Sequence, residues 1–435
     1  MELKASKYNF IVNEGADTIV FNAKNCALAK VNSDFLSILE NPNSEFTAEQ
    51  KILRENMCNA GFLIEESVDE LKVLELKYWK SKFETDALTM TIMPTDACNF
   101  ACFYCFENKQ QIRMTPEIIA ATIDFVKKNL FGVKNLRVCW FGGEPLLAAD
   151  IVWEMSEALI EIAADNSCEY SAFIVTNGYL LDDEIISNLK KYKIDTLQIT
   201  IDGDKSAHDK RRCLKSGGAT FDKILANVKK IVENNFKIAL RVNVDKSNAE
   251  TIEPLIKNLS AELGDSKNNV EISFGQILPI SRTDEWDTSL CLSTPEYTRW
   301  TEIFKQIMLA EGFQIKNKYP FYPAPKLNFC GADQIKSFII RPNGNIDKCW
   351  DCERIPVGDV QRGVAHNVQT EQNLSVWMLH SPFDDEECRN CKVLPICMGG
   401  CPYFALERKN KLCLKWRYDI ENIVRQKYLR HTQGR

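Results

Sequence analysis

The distribution of cysteine constrains this chain more than any other feature: seventeen cysteines occur in 435 residues, and most of them are clustered. Three fall in one short stretch, Cys98-x3-Cys102-x2-Cys105, and eight lie between Cys330 and Cys413. The opening residues, MELKASKYNF, lack the basic start, apolar stretch and small-residue cleavage site of a secretory signal, so a cytoplasmic protein is expected. In a reducing compartment, clustered cysteines serve as metal ligands or redox groups rather than disulfides. Cys26, Cys58, Cys139, Cys168 and Cys291 stand alone in or beside apolar stretches and read as small buried hydrophobes; Cys213 is ambiguous. No apolar run is long enough to cross a bilayer, so no membrane partner is expected. A net charge of -6 argues against a phosphate-backbone partner, hence no nucleic acid.

Between the clusters, β-branched runs alternate with amphipathic helical patterns, the signature of βα units around a parallel sheet. Six strands are read, starting near Thr89, Leu136, Ser171, Thr196, Ile238 and Val270. The helix opening at Thr115 carries a Thr-Pro-Glu start signal. Six units fall short of a closed eight-stranded barrel. The fold class is therefore α/β, a partial (β/α)6 barrel over residues 86–318, with ligands expected at the strand C-terminal ends. Residues 1–85 alternate and then turn helical, and read as a winged-helix-like module or a simple cap on the barrel. Residues 319–435 are loop-rich, cysteine-rich and closed by an amphipathic helix; metal would replace a hydrophobic core there.

The first cysteine cluster follows the first predicted strand, where a barrel assembles its site. Three thiolates suit an iron–sulfur cluster with one iron left open, although three Cys plus water or His is also a zinc set. Gly142 and Gly143 let backbone approach a ligand or simply make a tight turn, and Glu144 could accept from an ammonium. Thr176 and Asn177 are polar groups at a strand end, or an ordinary Asn-Gly turn. Thr200, Asp202 and Arg241 lie on the next two strands; Arg241 suits a bidentate carboxylate contact or a structural salt bridge.

The CxxxCxxC loop with an aromatic, Tyr104, before its last cysteine resembles the radical S-adenosylmethionine (SAM) superfamily, with Gly142-Gly143-Glu144-Pro145 and Thr176-Asn177-Gly178 at the expected strand ends. The resemblance implies a [4Fe–4S] cluster on Cys98, Cys102 and Cys105. It further implies SAM chelated at the open iron, reductive cleavage to a 5′-deoxyadenosyl radical, and SAM contacts from Tyr104, Gly142, Gly143, Glu144, Thr176, Asn177, Thr200, Asp202 and Arg241.

The later cysteines run Cys330-x13-Gly344-x4-Cys349, then Cys388-x2-Cys391-x5-Cys397-x3-Cys401, then Cys413. Metal is expected, with a zinc-ribbon-like domain as the alternative. The pattern resembles the SPASM domain, which implies two auxiliary [4Fe–4S] clusters, one on Cys330, Cys349 and Cys401 and one on Cys388, Cys391, Cys397 and Cys413. No eighth ligand stands between Cys330 and Gly344, and Cys352 is the candidate substitute. Enzymes of this kind commonly act on peptides. The resemblance therefore points to maturation of a ribosomally made precursor peptide, recognised through its leader and cross-linked through a thioether or another side-chain bond. Asp351 and Glu353 are candidate bases, and a small electron donor such as ferredoxin or flavodoxin is the expected partner. Two alternatives are formylglycine formation of the anaerobic sulfatase-maturase type and a non-catalytic iron–sulfur protein that binds peptide and passes electrons.

Overall fold

The computed structural model describes residues 2–107, 110–279, 287–314, 322–351, 355–407 and 411–432. They form two compact units, one drawn from Met1–Phe83, Asn317–Cys330 and His380–Arg435 and the other from Glu84–Lys316 and Gly331–Leu379.

In the first unit, β1 (Leu3–Ala5) pairs antiparallel with β5 (Leu63–Glu65), and β2 (Asn9–Glu14), β3 (Asp17–Asn22) and β4 (Ala27–Val31) form an antiparallel meander. Helices α1 (Ser33–Glu40) and α2 (Ala48–Asn59) lie between β4 and β5, and α3 (Glu70–Phe83) follows. Thr47 and Gln50 build the capping box that starts α2, and Gly61 ends that stretch with positive φ.

The second unit carries β6 (Ala87–Ile92), β7 (Asn135–Trp140), β8 (Glu169–Thr176), β9 (Ile194–Thr200), β10 (Lys237–Val244) and β11 (Val270–Gln276), all parallel neighbours in sequence order. Between them run α4 (Pro116–Asn129), α5 (Ala149–Asp165), α6 (Asp183–Lys191), α7 (Lys205–Arg211), α8 (Phe221–Glu233) and α9 (Ile252–Leu263), with α10 (Thr294–Ala310) after the last strand. Thr115 caps α4 and Pro116 opens it. Burial alternates along these strands: Leu88, Met90, Ile92, Val138, Ile174, Leu197, Ile199, Leu240 and Val242 are buried on one face, whereas Thr89, Gln198, Arg241 and Asn243 on the other are half-buried.

The region expected to be loop-rich also adds to this sheet. Strand β12 (Ser337–Ile340) pairs parallel with β6, and β13 (Asn345–Asp347), β14 (Gly358–Asp359) and β15 (Gly363–Val364) continue antiparallel beyond it, followed by α11 (Val368–Leu379). Among the described residues, strands β11 and β15 are thus the two edges of this sheet.

The rest of the first unit consists of short helices α12 (Glu386–Asn390), α13 (Leu394–Cys397) and α14 (Pro402–Glu407) and the closing helix α15 (Trp416–Thr432). Tyr8, Val12, Ile19 and Phe21 share one core with Leu74, Tyr78, Leu394, Ile396, Trp416, Ile423 and Val424. The two ends of the chain therefore fold together, where the sequence reads as two separate modules. No described helix is long and apolar enough to cross a membrane.

Candidate active site

The loop that carries Cys98, Cys102 and Cys105 leaves the C-terminal end of β6 and is pinned on three sides by backbone. Thr95 Oγ1 and Asp96 N both donate to Ile112 O (2.7 and 3.1 Å). Ala101 N donates to Cys213 O and Lys215 N to Asn99 O, each at 2.9 Å, which gives Cys213 a backbone role here. On the third side Gly143 N and Glu144 N donate to Thr95 O (3.2 Å) and Ala97 O (2.8 Å). A Cβ on Gly143 would stand 2.3 Å from both Ala97 O and Asp96 O, and one on Gly142 2.2 Å from Thr95 O, so this turn must be glycine to press against the cysteine loop.

Glu144 is fully buried and works as a junction. Its carboxylate accepts from Thr176 Oγ1 (2.8 Å), Leu146 N (3.1 Å) and Asn177 N (2.7 Å), joining the ends of β7 and β8. Burial pushes its carboxyl above the ordinary range, while these donors pull it back. Asn177 in turn donates to Asn99 Oδ1 at 2.7 Å, inside the cysteine loop.

A second network forms at the ends of β9 and β10. Asp202, fully buried, accepts from Tyr104 Oη and from Asn243 N (2.8 Å), and its own N–H donates to His208 Nδ1 (3.1 Å). Arg212 Nη1 donates to the Tyr104 hydroxyl at 2.7 Å. Burial works against the charge on Arg212, but the neighbouring Cys102, Tyr104 and Asp202 outweigh it and hold the guanidinium firmly protonated. Its Nε is buried without a hydrogen-bond partner among the described residues. A buried, unsatisfied N–H beside a thiolate-forming side chain is a donor in wait for an anionic group. Arg211 pairs with Asp245 at 3.0 Å and lies over the rings of Phe103 and Tyr104, 5.1 and 5.2 Å from their centroids.

The structure thus brings Tyr104, Gly142, Gly143, Glu144, Thr176, Asn177 and Asp202 to the cysteine loop or its immediate supports. Thr200 is buried at the end of β9. Arg241 donates through Nε to Asn243 Oδ1 (3.2 Å) and its guanidinium fills the space over Gly275. Sequence reasoning missed Arg212, Arg211, Asn243 and His208; the run HDKRRC looks like a solvated charge cluster until the fold buries it.

In the first unit, Cys388, Cys391, Cys397 and Cys413 influence one another electrostatically, and Arg417 Nη1 lies 3.8 Å from Cys413 Sγ. Burial pushes the Cys388 thiol up to about 12. Met398, Gly399 and Gly400 are all left-handed, and a Cβ on Gly400 would stand 2.2 Å from Leu412 O, so the turn after Cys397 must be glycine to admit the segment bearing Cys413. Cys330 and Cys401 belong to this unit, whereas Cys349 lies in the other. Asp351 is half-buried just past Cys349; Cys352 and Glu353 lie outside the described residues. Among the described residues no three Cys, His, Asp or Glu side chains stand grouped as metal ligands, so the ligand sets remain what the family resemblance implies. Soft thiolates in threes and fours, beside an unsatisfied guanidinium N–H, fit an iron–sulfur cluster and an anionic ligand.

Comparison with known proteins gives these observations a family context. Residues 92–259 match the model of the Radical SAM superfamily. The chain is 26% identical over 168 residues to the Fe-coproporphyrin III synthase of Methanosarcina barkeri, covering 39% of this chain and only 40% of that protein. It is 22% identical over 340 residues to the serine-type anaerobic sulfatase-maturating enzyme of Klebsiella aerogenes (73% of this chain, 80% of the relative). With the PqqA peptide cyclase of Gluconobacter oxydans it shares 25% identity over 317 residues (71% and 83%). Among solved structures, native anSMEcpe with bound AdoMet and Cp18Cys peptide gives a TM-score of 0.60 at 18% identity, over 78% of this chain and 96% of that one. Streptococcus suis SuiB bound to precursor peptide SuiA gives 0.53 at 17% identity, over 92% and 95%. At such identities the structural likeness establishes the fold.

Proposed function

We propose, from the premise that residues 92–259 are a radical SAM domain, that this chain modifies a ribosomally made precursor peptide by forming a thioether or another side-chain cross-link. The observation that carries the reading is coverage. The anSMEcpe structure is almost wholly matched, at 96% of its length, yet accounts for 78% of this chain, whereas SuiB accounts for 92%. The share left over is about the size of the N-terminal strands and helices. Within them, β4 is hydrogen-bonded to β3 alone among the described residues, the condition for adding an extended leader as an edge strand. The other edge is occupied: Lys392 Nζ and Arg425 Nε donate to Asn9 O and Asn13 O of β2, each at 3.2 Å.

In this reading Cys98, Cys102 and Cys105 hold the [4Fe–4S] cluster. When bound, that cluster and SAM supply a 5′-deoxyadenosyl radical able to take a hydrogen atom from a substrate carbon. Arg212 offers its unsatisfied Nε to an anionic group of the ligand, and Tyr104 and Asp202 fix the guanidinium in place. Cys388, Cys391, Cys397 and Cys413 hold one auxiliary cluster, and Cys330, Cys349, Cys401 and Cys352 the other. Asp351 accepts the proton of the attacking substrate group, and the one electron released as the new bond forms would pass to an auxiliary cluster held by these cysteines. Ferredoxin or flavodoxin supplies the electron in the cytoplasm.

A second reading, formylglycine formation, is favoured by the match to the serine-type anaerobic sulfatase-maturating enzyme over 80% of its length. Anaerobically reconstituted, reduced protein given SAM tests both. Release of 5′-deoxyadenosine that vanishes in Cys98→Ala is expected, and its absence from the wild type would leave only electron transfer. Co-expression with the precursor peptide should then remove two hydrogens per cross-link, read by mass spectrometry. Formylglycine on a sulfatase peptide instead would select the second reading.

A further inference from the structure

Arg341 lies outside every expected ligand set, yet it uses each of its donor nitrogens. It follows directly on β12 and is buried. Its Nε donates to Asp347 Oδ2 at 2.7 Å, and Nη2 to the backbone oxygens of Trp350 (2.7 Å) and Cys349 (3.3 Å). Its Nη1 faces Met93 Sδ at 3.4 Å and Glu107 Oε2 at 3.6 Å. Both carboxylates are themselves buried.

These partners come from two places that matter to the site. Met93 directly follows β6 and Glu107 stands two residues beyond Cys105, so one side of the guanidinium holds both ends of the cysteine loop. The other side holds the turn that carries Cys349 and Trp350. The Trp350 ring lies 4.6 Å from that of Phe141, the residue before Gly142, so the same turn bears on the glycine turn that presses against the cysteine loop. A planar fork with fixed donor directions can serve so many acceptors at once; a flexible ammonium cannot. Exposed ion pairs contribute little, but here the guanidinium and both carboxylates are withdrawn from water, where loss of one partner is felt in full.

We propose that Arg341 is a positioning residue that holds the cysteine loop and the Cys349–Trp350 turn as one unit, and through them sets the affinity for SAM. The inference rests on the radical SAM reading. Its test uses the reconstituted full-length holoenzyme, reduced with dithionite, and follows the change that added SAM makes in the electron paramagnetic resonance spectrum. Arg341→Gln should weaken SAM binding about tenfold, the worth of one charge-assisted hydrogen bond, at wild-type iron content. Glu107→Gln should weaken it about threefold, and the double variant should bind no worse than Arg341→Gln alone, because Glu107 acts through Arg341. Arg341→Lys should fall between wild type and Arg341→Gln. Should Arg341→Gln fail to fold, Arg341→Lys and Glu107→Gln carry the test. A wild-type spectrum that responds to SAM while the variants bind within about twofold of it overturns this inference alone, as does full additivity in the double variant. A wild-type spectrum that ignores SAM overturns the radical SAM reading and this inference with it.

Discussion

His208 should make the second unit acid-sensitive at a pH where most carboxylates are still ionised. Its imidazole is fully buried, with Nδ1 accepting from Asp202 N (3.1 Å) and Nε2 3.1 Å from Thr220 Oγ1. Since the Thr220 hydroxyl donates onward to Arg212 O (2.7 Å), the ring proton sits on Nε2 and Nδ1 must stay bare. A second proton would face the Asp202 N–H at close range. Burial, then Arg212 and Arg211, lower the His208 pKa from 6.5 to about 3. The unfolded chain therefore takes up this proton first: the stability tied to neutral His208 is complete above about pH 6.5 and is lost as pH falls toward 3. Between those limits each pH unit costs about 1.4 kcal/mol, so acidification from pH 7 to pH 5 should remove about 2 kcal/mol. His208→Asn keeps an acceptor for Asp202 N and cannot titrate. It should be about 1 kcal/mol less stable at pH 7 for the lost Thr220 contact, and flatter with pH. Urea unfolding of the iron-free chain at both pH values, wild type against variant, measures this. With four histidines in the sequence, ring NMR titrations are readable one by one. A His208 resonance that titrates near pH 6, or identical pH slopes in the two proteins, would refute the reasoning.

Other changes test the supports of the site. Glu144→Gln keeps an acceptor for Thr176 and Leu146 but sets an amide N–H against Asn177 N–H; a loss of about 1–3 kcal/mol in denaturant unfolding is expected, and a neutral result would remove Glu144 as a junction. Gly143→Ala drives a Cβ into Ala97 O and Asp96 O and should cost about 1–3 kcal/mol with reduced iron retention; full stability and iron would contradict the close approach. Arg212→Met leaves Asp202 and Tyr104 without their cation and should lower 5′-deoxyadenosine formation by roughly 10²-fold, whereas near-wild-type turnover would show the guanidinium to be structural.

Much of this molecule is legible in its sequence because the signals are local. Thr115-Pro116 starts α4, Thr47 and Gln50 start α2, and six β-branched runs separated by amphipathic helices announce parallel strands, since capping and periodicity need only neighbours a few residues away. The spacing Cys98-x3-Cys102-x2-Cys105 is equally local, so the loop and its placement after the first strand could be read directly. Tertiary structure alone decided which distant side chains meet. Tyr104 stands 98 residues before Asp202 and 108 before Arg212 along the chain, yet its hydroxyl meets both; in the sequence Arg212 is one more charge in a basic run. That β12 lies parallel to β6, and that Tyr8 shares a core with Trp416 and Val424, were not readable either. Apolar burial rewards the removal of surface from water without naming the partner, so the pattern of a segment says that it will be covered and leaves the choice of cover to the fold.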